Sequence, residues 1–129
     1  MIYTKETTGQ VNEVISRLQL AAAENQFGVL GLHNLKEKMN AKGVEFRHEC
    51  QVLEVCNPTQ AQKVLLTNMS ISTALPCRIA VYEEGDKIKV ETLRPTTLID
   101  WFDTPDLKPI AQEVEDAIIR IIDTACKKS

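Results

Sequence analysis

The stretch VEFRHECQVLEVCNPTQAQKVL, residues 44–65, decides the fold. Its first half alternates apolar and polar residues, the period of a strand. Its second half carries Ala61, Val64 and Leu65 at helical spacing. Asn57 and Pro58 stand between the halves. Asn accepts hydrogen bonds from the free amides of a first turn, and proline at the first helical position gives up an N–H that has no partner there. The chain therefore passes directly from a strand over 44–56 to a helix over 58–68, with Met69 continuing its inward side. On that strand Phe46, His48, Cys50, Val52, Glu54 and Cys56 share one face, which is expected to point inward. Arg47, Glu49, Gln51, Leu53 and Val55 share the other.

Upstream, residues 2–8 read as a strand. A helix follows from Thr8 or Gly9, with Val11, Val14, Ile15, Leu18 and Ala22 on one apolar face. FGVLGLHN, residues 27–34, reads as a central strand buried on both sides, with Phe27, Val29 and His33 on one face and Leu30 and Leu32 on the other. Asn34 caps a short helix that ends at Gly43, with Leu35 and Met39 inward. Downstream, SISTALP is a loop. CRIAVYEE (77–84) and KIKVETL (87–93) form a hairpin around Gly85-Asp86. RPTTLIDWF holds a turn and a short helical segment. A last helix covers 106–127, with Ile110, Val114, Ala117, Ile118, Ile121 and Ala125 on one side. The order β-α-β-α-β-α-β-β-α predicts an α+β fold: a single-domain sandwich over residues 1–129, built on one mixed, mostly antiparallel sheet with helices packed on one or both faces.

The 129 residues suffice for one domain with a core. Apolar residues make up 43% and charged residues 26%, with a net charge of −3 and scattered basic residues. Nucleic acids and anionic membrane surfaces attract clustered positive charge, so neither is an expected partner. No apolar run approaches the roughly 20 residues that span a bilayer. The N-terminus lacks the basic and apolar regions of a secretory signal, and a cytoplasmic location is expected. Cys50, Cys56, Cys77 and Cys126 are then free thiols, and none forms a CxxC pair.

Cys50 and Cys56 lie six positions apart, about 20 Å along a strand, too far to act together. Cys56 and Cys77 end and begin strands that meet if they are antiparallel neighbours. The helix that starts at Pro58 would stabilise a thiolate beside Asn57, and Arg78 stands next to Cys77. These residues form a candidate binding site, set against the ordinary role of free cysteine as a small core residue. Glu54 on the same face is either a base in a pocket or the ion-pair partner of Arg78 or Lys63. His48 and Cys50, two residues apart on one strand face, are the metal-ligand candidates, but a metal site needs further ligands from elsewhere. His33 is one source. Gly28 and Gly31 sit inside a strand and make no phosphate loop.

EVCNPTQAQKVL, LPCRIAVYEEGDKIKV and FGVLGLHNLKEKMNAKG resemble the domain of unknown function 302 family, over roughly residues 25–100. Asn57-Pro58, Ala61 and Leu75-Pro76 carry the resemblance. It implies a compact α+β domain that is often a homodimer, and it implies no reaction. Cys56 stands where many members have a small residue, often glycine, and Cys77 follows Leu-Pro where cysteine is not required. Thiol chemistry would therefore belong to a subset of the family. The leading functional expectation is a cytoplasmic homodimeric module that binds a small ligand or a protein. The alternative is thiol-dependent handling of redox equivalents, sulfur or metal through Cys56 and Cys77. An acid–base enzyme using Glu54 and a histidine ranks last, because the sequence does not bring those groups together.

Overall fold

The computed structural model describes residues 1–127. Five strands form one sheet in the order β1-β5-β4-β3-β2. They are β1 (Ile2–Thr7), β2 (Gly28–Asn34), β3 (Cys50–Cys56), β4 (Cys77–Glu84) and β5 (Lys87–Leu93). Every neighbouring pair is antiparallel. The helices are α1 (Val11–Glu24), α2 (Leu35–Ala41), α3 (Pro58–Thr67), α4 (Pro95–Ile99) and α5 (Lys108–Cys126). The α+β architecture expected from the sequence is present. The sheet is antiparallel throughout, and a 3₁₀ segment at Met69–Ala74 replaces the expected loop.

The core lies between one face of the sheet and the helices α1 and α5. Val14, Leu18, Leu53, Val55, Ile79, Val81, Val90, Ile118 and Ile121 are all fully buried in it. The face of β3 is the reverse of the expected one. Gln51, Leu53 and Val55 point into the core, while Val52, Glu54 and Cys56 are only partly covered on the other side. Gln51 is accepted there because its side-chain amide donates to Asn12 Oδ1 at 2.7 Å.

The strand is also shorter than expected. Residues 44–49 leave the sheet because Asn40 replaces the ladder. Its side-chain oxygen accepts from the Phe46 amide at 3.0 Å, and its side-chain nitrogen donates to the Phe46 carbonyl at 3.2 Å. A segment whose backbone groups are satisfied by a side chain does not need a neighbouring strand. His48 therefore sits in a bend, with its ring edge-on to Phe46 at 5.5 Å.

β2 is an edge strand, not a central one. It pairs with β3 alone, and Val29, Leu30 and Leu32 are exposed. A bulge between Val29 and Gly31 breaks the two-residue alternation expected along it. Leu35 and Met39 of α2 are half-buried, and the helix buries no residue completely. Ala61, Val64 and Leu65 of α3 are likewise half-buried, while Met69 is exposed. These partly covered positions matter for the site.

Candidate functional site

At the end of β3 the local reading holds. Asn57 Oδ1 accepts from the Gln60 amide at 3.2 Å, and Pro58 opens α3. Cys77 begins β4 opposite Val55. Side chains alternate along a strand, so Val55 and Cys77 face the core and Cys56 faces away. Cys56, Asn57 and Cys77 nevertheless border one narrow apolar cavity of about 40 Å³. Phe27, Ala61 and Val114 are also among its walls.

This cavity is the middle of a longer cleft. On one side it meets a second space of about 70 Å³, with Val64, Leu75, Cys77 and Val114 in the shared wall. Ile71, Leu98, Ile99 and Phe102 line the far end. That end belongs to a satellite core around Ile71, Ile99, Leu107 and Ala111, over which Val64, Leu75, Phe102 and Ile110 are only partly buried. On the other side the cavity opens into a polar mouth of about 330 Å³, with Phe27, Asn57, Gln60 and Val114 in common. Asn25, Glu113, Asp116 and Arg120 surround that mouth.

α4 forms part of the floor and is held from below. Glu115, buried on α5, accepts from the Thr96 hydroxyl at 2.7 Å and the Thr96 amide at 3.2 Å. Arg94 reaches the same carboxylate at 3.4 Å. The Thr96 amide in the first turn of α4 is thus satisfied from α5, which ties that turn to the helix beneath it.

The thiols do not have the lowered pKa expected beside a helix N-terminus. Burial pushes Cys77 up to about 11, helped by the neighbouring Cys56 and only partly offset by Arg78. Burial also raises Cys56 and Cys50. At both thiols the cause is the same: burial disfavours the charged form. Cys77 is held as a protonated, apolar wall residue.

Glu54 and Arg78, expected at the same site, lie on the opposite face of the sheet. Arg78 Nε is 3.5 Å from Glu54 Oε2, as the cross-strand register places them. Sequence reasoning missed the closer partner. His33 Nε2 is 2.9 Å from Glu54 Oε1. Lys38 Nζ is 2.6 Å from the other ring nitrogen, Nδ1. The hydrogen bond from His33, then the charges of His33 and Arg78, hold the Glu54 carboxyl below its ordinary value. The bulge in β2 turns His33 onto this face, and a bulge leaves little trace in hydrophobic periodicity. Glu54 is mostly covered in this group, and His33 and Arg78 are open to solvent.

Cys50 lies at the far end of β3, away from the cleft, and His48 is not on the strand that was to align the two. Among the described residues, no three His, Cys, Asp or Glu side chains gather closely enough to hold a metal ion. No helix among them is long and apolar enough to cross a membrane.

Comparison with known proteins adds a family and a close structural relative. The family model described as "Domain of unknown function DUF302" matches residues 3–125. A crystal structure of an uncharacterized conserved protein DUF302 from Bacillus stearothermophilus superposes with a TM-score of 0.91 and 35% sequence identity. The match covers 98% of each chain. No curated protein matches the chain.

Proposed function

The chain belongs to the family of domain of unknown function DUF302, and we propose that it is a binding module whose ligand is a small molecule with an apolar part, held in the cleft between α3, α4 and α5. The observation that carries this reading is the nearly all-apolar wall around Val64, Leu75, Leu98 and Phe102, open to solvent yet bordered by side chains that the core leaves half-covered. Ligand sites are concave, mostly apolar and furnished with a few polar groups at one end. Burial raises both thiols, which fits a wall that excludes water.

The module is proposed to act in the cytoplasm, as one domain, and as a homodimer. Support for pairing comes from β2. An edge strand presents unpaired backbone groups, and charged residues commonly guard it. Gly28–Leu32 carries no charge and exposes Val29, Leu30 and Leu32. Sedimentation should give twice the chain mass; a monomer at micromolar concentration would remove the dimer from this reading and leave the cleft.

The ligand reading is tested with n-hexanol and ¹⁵N-labelled protein. Saturable amide shifts are expected at Val64, Leu75, Leu98 and Val114. Ala74 lines the apolar end, so the shifts should vanish in Ala74→Phe, whose ring fills it, while the circular dichroism spectrum stays unchanged. Shifts that fail to saturate, or that persist in Ala74→Phe, would refute it.

A further inference from the structure

Three lysines in and just after α2 meet different surroundings. Lys36 Nζ lies on the Glu49 carboxylate at 2.8 Å, the ordinary arrangement for an ammonium, and that contact raises its pKa. Lys42 is exposed at the end of the helix. Lys38 Nζ instead lies 2.6 Å from an imidazole nitrogen, His33 Nδ1. A lysine ammonium only donates, so Nδ1 is the acceptor and the ring hydrogen sits on Nε2. That nitrogen is 2.9 Å from Glu54 Oε1, which accepts from it. Glu54 Oε2 in turn lies 3.5 Å from Arg78 Nε.

This order of groups is that of an activated nucleophile: an amine within reach of a base, and the base oriented by a third group. The backbone builds it. β2 passes into α2 without a loop, at the Asn34 cap, so the helix brings Lys38 back to a residue five positions earlier. Gly31 leaves the room in which His33 and Glu54 meet. A carboxylate partner holds a lysine as its ammonium, whereas an imidazole is a base that takes a proton from the nitrogen as it reacts.

We propose that Lys38 is an acylation site that takes its acyl group from a small thioester, with His33 as the general base and Glu54 as the group that orients it. The amine form of Lys38 attacks the thioester carbonyl carbon. The N–C bond forms, and the N–H proton passes to His33 Nδ1. Glu54 stabilises the imidazolium. The C–S bond then breaks, and the leaving thiolate takes the proton from His33. The products are an Nζ-acyl-lysine and a free thiol. A thioester suits the site because a thiolate leaves without the strong acid or metal that an amide would require. Lys38 is exposed, so a donor in solution reaches it. The site shares no residue with the cleft and stands or falls apart from it.

The full chain is incubated at neutral pH with S-acetyl-N-acetylcysteamine, an uncharged thioester, and acetylation of each lysine is followed by mass spectrometry. A general base contributes roughly 10²–10⁴-fold in a formed active site; in this open one Lys38 is expected to react about ten-fold faster than Lys42. Lys36, held by Glu49, should react more slowly than both. His33→Ala should bring Lys38 down to the rate of Lys42. Glu54→Gln keeps an acceptor for Nε2 but removes the charge that stabilises the imidazolium, and should leave an intermediate rate. His33 stands on an edge strand and is partly exposed, so its loss spares the core, and the Lys38 to Lys42 ratio is read within one molecule. Equal rates at Lys38 and Lys42 in the unaltered chain overturn the proposal. A ratio that His33→Ala leaves unchanged also overturns it, since reactivity would then follow exposure alone.

Discussion

His33 and Glu54 meet at 2.9 Å across β2 and β3, and they can do so because Gly31 has no side chain. A β-carbon at Gly31 would lie 2.8 Å from Glu54 Oε1 and 3.5 Å from His33 Nε2. Gly31→Ala is expected to keep the fold, because the flexible end of Glu54 can swing aside. The contact with His33 should then be lost. Glu54 is held below its ordinary pKa in the folded state, so its contribution is present above the unfolded value and is lost as pH falls through the folded one. In Gly31→Ala the Glu54 midpoint, read by ¹³C carboxylate NMR, should rise toward the ordinary carboxylate range. An unmoved midpoint would show that His33 does not set it.

The inverted face of β3 makes a pair of neighbouring residues behave differently. Leu53 is completely buried against α1 and α5, whereas Val52 looks outward. Leu53→Ala should cost about 3 kcal/mol in urea unfolding. Val52→Ala should stay within about 1 kcal/mol. Comparable losses at both positions would mean that something covers the outer face.

Most strands and helices were legible in the sequence, as was the apolar face of α1, where Val11, Val14, Ile15, Leu18 and Ala22 are buried as expected; the faces of β2 and β3 were not. Asn57-Pro58 marks a boundary with local chemistry, so the start of α3 is where it was expected. The face of β3 was misread because Val52, Cys50 and Phe46 look as inward as Leu53 and Val55. Gln51, on the true inner face, is a polar residue whose burial makes sense only once Asn12 supplies its partner. Asn40, near the end of α2 and six residues before Phe46, likewise ended the strand through side-chain hydrogen bonds that no propensity scale counts. Of the candidate site, Cys56, Asn57 and Cys77 do meet, because the end of one strand and the start of its neighbour are adjacent by register. Glu54 and Arg78 meet each other elsewhere. Gln60, Glu113 and Val114 could not have been found, since only the packing of α3 beside α5 makes them neighbours.

Glu115 should be among the most sensitive polar positions. It is buried, and it satisfies Thr96 and Arg94 at the start of α4. Glu115→Ala leaves those donors without an acceptor; with Arg94 partly open to water, a loss of about 2 kcal/mol is expected. Because α4 floors the cleft, hexanol should bind this variant more weakly even where it remains folded. Undiminished stability in thermal unfolding would show that water takes over the cap.

The thiols predict an alkaline limit. Cys77 and Cys126 are both raised to about 11, in each case chiefly by burial. An unfolded thiol ionises near 8.5. The folded chain keeps protons that the unfolded chain releases, so this contribution is complete below the unfolded value and disappears as pH rises through about 11. The melting temperature should fall from pH 8 to pH 11, less steeply in a Cys77→Ala, Cys126→Ala double variant. At neutral pH, iodoacetamide should modify Cys77 far more slowly than it modifies glutathione. Rapid labelling of the folded protein would contradict a protonated, enclosed thiol.

The two ends of the described chain are clasped together. Tyr3 donates to Asp123, Lys5 lies 3.6 Å from the same carboxylate, and Thr7 donates to the Cys126 carbonyl. Arg17 on α1 donates to the Ala125 carbonyl at 2.8 Å. The apolar side of α1 is closed by Ile118, Ile121 and Ile122, which are among the last residues of this stretch to be translated. On the ribosome, then, the first strand and helix emerge long before their cover exists. The sheet cannot be sealed until α5 has cleared the exit tunnel, so the interval of exposed apolar surface is set by the speed of synthesis.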